Sequence, residues 1–351
     1  MTTMKHYNNF DFLRFMFALL VVISHSFPLS GVEEKEQWIY QFTNGQMVYS
    51  ALGLNGFFVI SGFFIFQSMQ RSKSLIEYFT KRLKRILPGL FVVLFITLLL
   101  VPFVYESDVP FYLNPEFWTY LPNNLSLYGF QPVIEGVFNS NYYHAINGSL
   151  WTIRYEFTLY VAIAFLFFIK GKKLLLLWGL IIVYLFFYIL FQFYLDRFAS
   201  SEVFGMLGYE ILNLGTFFIA GSIVAALQFE KNKNRDIYFC IALFIFVLSI
   251  YLNFYSVVKH LVFPVIIIFL GYYVLPFFSA FGKYGDASYG IYIYSFPIQQ
   301  FLMYFYKLNT LELLVYSCLL SIIFGYLSWH IVEKRFIKIE FNITKFIDSK
   351  T

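Results

Sequence analysis

Two residues near the start of the chain could do acid–base chemistry together. In the stretch NNFDFLRFMFALLVVISHSF, Arg14 and His25 stand eleven residues apart. At 100° per residue that spacing is three turns plus roughly 20°, so both side chains fall on one face of a helix, separated along its axis by about 16 Å. A histidine is the natural proton acceptor near neutral pH, and an arginine on the same stripe can hold a charged partner. The plain alternatives are an Arg14 paired with Asp11 at a membrane boundary and an interfacial His25. A second group lies in NGSLWTIRYEFTLY, where Glu156 follows Arg154. A carboxylate beside a histidine can fix its tautomer and stabilise its protonated form. Here the competing reading is an ion pair, of Glu156 with Arg154 or between helices, that holds the bundle together. A third pattern, RLKRILP, sets Arg82 and Arg85 one helical turn apart before a Pro-Gly that would end the helix. Guanidinium forks suit phosphates, and arginines also anchor membrane helices on the cytoplasmic side. Glu333, in SWHIVEKRF, reads as a structural interfacial carboxylate.

The elements that must position these groups are apolar helices. Of 351 residues 60% are apolar and 13% charged, and the mean hydropathy is +0.68; soluble domains carry about 25% charged residues. The apolar residues come in runs of roughly 20, enough to cross about 30 Å of hydrocarbon. Such runs occupy residues 9 to 28, 48 to 69, 86 to 105, 149 to 169, 174 to 194, 208 to 228, 237 to 255, 258 to 278, 286 to 306 and 311 to 331. The expected fold is therefore an all-α polytopic integral membrane protein of about ten transmembrane helices, with no cleavable leader. Arg71, Lys73, Lys81, Arg82, Lys84 and Arg85, then Lys170, Lys172 and Lys173, then Lys231, Lys233 and Arg235 mark alternate loops as cytoplasmic. Glu33, Glu34 and Glu36, and the Lys- and Arg-free segment 106 to 148, mark the others as outward. With Lys5 before the first span and Lys334, Arg335, Lys338, Lys345 and Lys350 after the last, both termini are expected to be cytoplasmic.

Several function classes are set aside. The net charge of +5 is spread over loops as a topology signal and carries no nucleic-acid footprint. Cys240 and Cys318 are far apart inside apolar runs, so neither a disulfide framework nor a metal site is expected. The 48 Phe and 29 Tyr are distributed along the spans as lipid-facing and interfacial residues.

Taken in order, these residues resemble the acyltransferase 3 family of membrane acyltransferases, which O-acetylate bacterial surface polysaccharides. The resemblance rests on Arg14 with His25, GLNGFFVISGFFI at 53 to 65, RLKRILP at 82 to 88, GSLWTIRYEF at 148 to 157 and SYGIYIYSFP at 288 to 297. It implies a transmembrane domain over residues 1–335 with a short cytoplasmic tail at 336–351, in the bacterial cytoplasmic (inner) membrane. The implied reaction carries an acyl group, usually acetyl, from cytoplasmic acyl-CoA to a hydroxyl of a cell-surface or lipid-linked glycan. Acetyl-CoA is then a donor co-substrate, and no metal or bound cofactor is implied. By the same resemblance His25 is the base or transient acyl carrier, with Arg14 as its partner; Glu156 belongs, with Trp151, to the family's span-four motif and is expected to orient His25. Arg82 and Arg85 bind the CoA phosphates, and Trp151, Arg154 and Ser295 lie on the substrate side. Ser295 stands where many members have histidine, and Asn55 where aspartate is frequent. Larger members append a hydrolase-like domain; none is expected after residue 331. The rival reading is a flippase of lipid-linked glycan, whose intramembrane charges would line a pathway.

Overall fold

The structure, a computed structural model, describes residues 8–273 and 276–338. Lys5, Lys345, Lys350 and most of the 336–351 tail lie outside the described residues. The longer helices are α1 (Phe10–Leu29), α2 (Tyr49–Arg71), α3 (Leu75–Leu100), α4 (Pro115–Leu125), α5 (Trp151–Ala164), α6 (Lys173–Phe193), α7 (Gly208–Ala226), α8 (Arg235–Tyr251), α9 (Tyr255–Tyr272), α10 (Ser288–Tyr306) and α11 (Thr310–Ser328). Among the described residues the only paired strands are Glu202–Val203 and Met206–Leu207, a small antiparallel hairpin before α7.

Among the described residues eight helices are long and apolar enough to cross a membrane: α1, α2, α3, α5, α6, α7, α9 and α11 with their flanking turns. The other two expected spans are helices of a different kind. α8 has 17 residues, about 25 Å at 1.5 Å per residue. In α10 the apolar run is broken by Ser295, Gln299 and Gln300, all fully buried. An interior helix meets protein instead of lipid, so it tolerates groups a lipid-facing helix would not. Lipid-type surfaces are clear on α6 and α8, where Ile182, Phe186, Phe244 and Val247 point outward.

The third expected span is corrected at its start. α3 begins at Leu75, where the Ser74 hydroxyl accepts from the Glu77 N–H at 3.1 Å, and it runs through Pro88 and Gly89 without ending. Proline removes one backbone bond and kinks a helix, and packing from neighbours is enough to carry the helix past it. Arg82 and Arg85 thus sit within a continuous helix.

Glycines decide how closely the helices approach. A Cβ on Gly62 would lie 1.9 Å from the Phe218 carbonyl oxygen, and one on Gly221 would lie 2.2 Å from that of Val59. Ser222 donates across the same seam to the Gly62 carbonyl at 3.0 Å. Close backbone contact of this kind replaces the hydrophobic drive that lipid cannot provide between helices. α1 rests on α2 likewise, with Gly53 against the Phe17 carbonyl and Gly56 against the Phe17 ring.

α10 runs parallel to α1. Asp286, just before α10, meets Arg14, and Phe296 ten residues later meets His25. Gln299 then donates to the Val22 carbonyl and the Ser26 hydroxyl, both at 2.9 Å. The Arg14–His25 stripe therefore faces α10 along its length.

Candidate functional site

A cavity of about 1110 Å³ enters the bundle at its basic end, beside Lys73, Lys81 and Arg82, and reaches inward to Leu54, Phe57 and Thr152. Ser68 touches Arg82 at the mouth, and from Ser68 to Leu54 is fourteen residues of α2, about 21 Å. Cations line one end and apolar side chains the other. An elongated ligand with an anionic head and a less polar tail fits that gradient.

The two arginines of RLKRILP have different surroundings. The Arg82 guanidinium donates to the Ser68 hydroxyl at 3.0 Å and stands over the rings of Tyr78 and Tyr160, 5.8 and 6.0 Å away. It makes no ion pair among the described residues, and its buried Nε has no partner. Arg85 is clamped, donating to Asp286 at 2.7 Å and to the fully buried Glu333 at 3.0 Å. Arg14 lies 3.7 Å from the same Asp286 oxygen and 3.5 Å from Asp11. Asp286 in turn accepts from the Ser288 N–H at the start of α10, where the helix dipole favours a negative group. Arg85 also lines the cavity, and it carries two carboxylate partners that Arg82 lacks. Its charge is used by two carboxylates, which tie α3 to the segment just before α10 and to the turn Trp329–Glu333 that follows α11.

Glu156 lines the cavity but does not meet His25. It accepts hydrogen bonds from the Tyr160 hydroxyl one turn along α5 and from Ser61 on α2 at 3.4 Å. The expected carboxylate–imidazole pair is not formed. Arg154, two residues earlier, points 200° around the helix and lies over Phe130 at 5.1 Å and Tyr155 at 5.9 Å. That rotation also rules out the Arg154–Glu156 ion pair. Trp151 packs edge-on against Tyr155 at 5.2 Å. Ser295, placed on the substrate side by resemblance, is fully buried and donates to the Tyr292 carbonyl of its own helix at 3.1 Å. Its hydroxyl is engaged with the backbone of its own helix.

The inner end of the cavity is closed by a hydrogen-bonded layer. The Tyr292 and Thr152 hydroxyls are 2.7 Å apart, and Tyr292 donates to the Ser149 carbonyl at 2.7 Å. One turn beyond Tyr292, the Phe296 ring lies 5.4 Å from the His25 ring, at 75° to it. His25 therefore sits beyond the cavity's inner end, and its buried Nδ1 has no hydrogen-bond partner. Pro297 explains how this layer is anchored. Lacking an N–H, it leaves the Ile293 carbonyl free, and Asn147 donates to it at 2.8 Å.

Some polar residues escape a reading based on span periodicity. Asp286 is one; its signal was an acidic residue at an otherwise basic end of the bundle. Lys259 and His260 are others, both on the Asn213 side-chain oxygen at 2.8 and 3.1 Å. Asn213 donates onward to Asn55 at 3.2 Å. This network joins α2, α7 and α9 and gives Asn55 a structural task.

The family model of an acyltransferase domain matches residues 7–330. An O-acetyl transferase of Shigella phage Sf6 is 27% identical over 350 residues, covering 94% of this chain and 96% of that protein. Nodulation protein 10 of Rhizobium leguminosarum bv. viciae is 32% identical over 173 residues, 46% of this chain and 44% of that protein. No solved structure matches the chain. Helices apolar enough to span a membrane, a cavity with a cationic mouth and a histidine beyond its inner end accompany a match over nearly the whole length, and the chain belongs to the acyltransferase 3 family of enzymes.

Proposed function

We propose that this protein transfers an acetyl group from cytoplasmic acetyl-CoA to a hydroxyl of a cell-surface or lipid-linked glycan. It would act as a ten-span protein of the bacterial cytoplasmic membrane with both termini on the donor side, residues 1–335 forming the domain and 336–351 a tail. The observation that carries this reading is the cavity itself, with Arg82 and its neighbouring lysines at one end and His25 one turn of α10 beyond the other. Phosphates of the donor would sit on Arg82 and Lys81, and the thioester would reach the Thr152–Tyr292 layer. The similarity to an O-acetyl transferase of Shigella phage Sf6 supports acetyl as the group moved; the glycan acceptor follows from the sequence resemblance.

In this mechanism His25 takes the proton of the acceptor hydroxyl as its oxygen bonds to the acyl carbon. The carbon–sulfur bond breaks, and the proton passes to the departing thiolate, leaving free CoA and an ester. Arg14 holds Asp286, and through it the start of α10 against α1. Glu156, with Tyr160 and Ser61, presents a polar patch to the donor's amide-bearing arm.

The test is twofold. Acetyl-CoA is expected to raise the melting temperature of the purified protein in a saturable manner, whereas a flippase would show no such response. His25→Ala is expected to abolish O-acetyl groups on the surface glycan, read by mass spectrometry, while keeping the protection by acetyl-CoA. Surface glycan still acetylated at the normal level in that variant would refute the assignment.

A further inference from the structure

Resting on the acyl-transfer reading, we infer that the turn Asn147–Ser149 is the subsite for the reacting acyl carbonyl, with the Ser149 hydroxyl and the turn's free N–H groups stabilising the oxygen as it gains charge.

The first observation is position. The Ser149 carbonyl accepts from Tyr292, the residue that closes the cavity, and a Cβ on Gly148 would come within 2.7 Å of the Phe296 ring, against which His25 packs. The turn therefore adjoins both the inner end of the donor cavity and the ring that borders the histidine. The second observation is unmet bonding. Asn147 is 1% exposed and Ser149 0%, yet Asn147 Oδ1, Ser149 Oγ and His25 Nδ1 all lack hydrogen-bond partners. A buried polar atom without a partner costs about 1–3 kcal/mol, so three of them, on His25 beside the Phe296 ring and on the two residues flanking Gly148, mark a place that stability alone does not explain. The third is polarity. Gly148–Leu150 is a 3₁₀ turn that runs straight into the 14-residue α5. The first N–H groups of a helix have no carbonyl within it to bond, and its N-terminus carries partial positive charge. Donors fixed in advance where an oxyanion develops are among the strongest contributions an enzyme makes to rate.

The chemistry needs nothing further. When the acceptor oxygen bonds to the acyl carbon, the carbonyl electron pair moves onto its oxygen, the Ser149 hydroxyl and the Gly148 and Ser149 N–H groups hold it there, and it returns as the carbon–sulfur bond breaks.

Ser149→Ala tests this cleanly, because the hydroxyl it deletes makes no hydrogen bond and the carbonyl that anchors Tyr292 stays. The expected result is a fall of about a hundredfold in O-acetylation rate, in line with the loss of one oxyanion donor. The melting temperature should stay the same or rise, and acetyl-CoA protection should be unchanged. A rate within twofold of wild type would overturn the inference. A lowered melting temperature with weaker acetyl-CoA protection would also overturn it, assigning Ser149 to the fold. Failure of the underlying reading would appear separately, as a wild-type protein that acetyl-CoA does not protect.

Discussion

Removing the guanidinium of Arg85 would strand Glu333, which has no exposed surface, and leave Asp286 with Arg14 alone. Breaking a buried ion pair from one side costs about 3–5 kcal/mol because the remaining charge is left uncompensated. Arg85→Ala is therefore expected to lower stability by about 3 kcal/mol or more, measured by unfolding in detergent. Replacing Glu333 as well, by Gln, should restore part of that loss. Arg82→Ala removes a side chain that no carboxylate holds. Its expected effect is on donor binding, with acetyl-CoA protection shifted to about tenfold higher concentration, the value of one charge-assisted hydrogen bond, and the melting temperature of the free protein little changed. Equal thermal losses in the two single variants would contradict this division. The sequence offered the two arginines as equals, since their spacing places them on one helix face; only the carboxylates that reach Arg85 from just before α10 and just after α11 distinguish them.

At the scale of elements, α2 and α7 form the closest seam, and it depends on two missing side chains. Neither carbonyl facing Gly62 or Gly221 can move aside, because each is part of a helix backbone. Gly62→Ala would force α2 and α7 apart, at a cost of about 1–3 kcal/mol for overpacking, and would disturb the cavity wall that α2 contributes through Leu54, Phe57 and Ser61. The expected outcome is less folded protein by size-exclusion chromatography in detergent, with weaker acetyl-CoA protection in what remains. A Gly62→Ala protein with wild-type melting temperature would show that the seam can relax. Helix identities were legible in the apolar runs. The start of α3 was less so, because its first turns are charged and hydropathy reports only the stretch that can sit in lipid. The polar interior of α10 is legible only after packing, since burial among helices and exposure to lipid ask different things of a side chain.

For the whole molecule, the topology inferred from loop charge makes a direct prediction. After replacement of Cys240 and Cys318, single cysteines at Lys172 and Asn232 are expected to react with a membrane-impermeant maleimide only in opened cells. Single cysteines at Glu34 and Glu135 should react in intact ones. Labelling of position 172 in intact cells would reverse the orientation and move the proposed donor side with it. The chain by itself determined that it is a bundle of membrane helices, the family to which it belongs, and the stripe that joins Arg14 to His25. The helices and the stripe follow from hydropathy, loop charge and the 3.6-residue repeat, and the family from short motifs in a fixed order, all of which act over short stretches. The tertiary structure decided which partners each charge takes. Arg85 meets Asp286 and Glu333 across 201 and 248 residues of sequence; Glu156 turns to Ser61 on α2 and away from His25; and the cavity ends at Tyr292, short of the histidine. Such choices depend on which helix faces pack together, and a periodicity that places a residue on a face says nothing of what that face will meet.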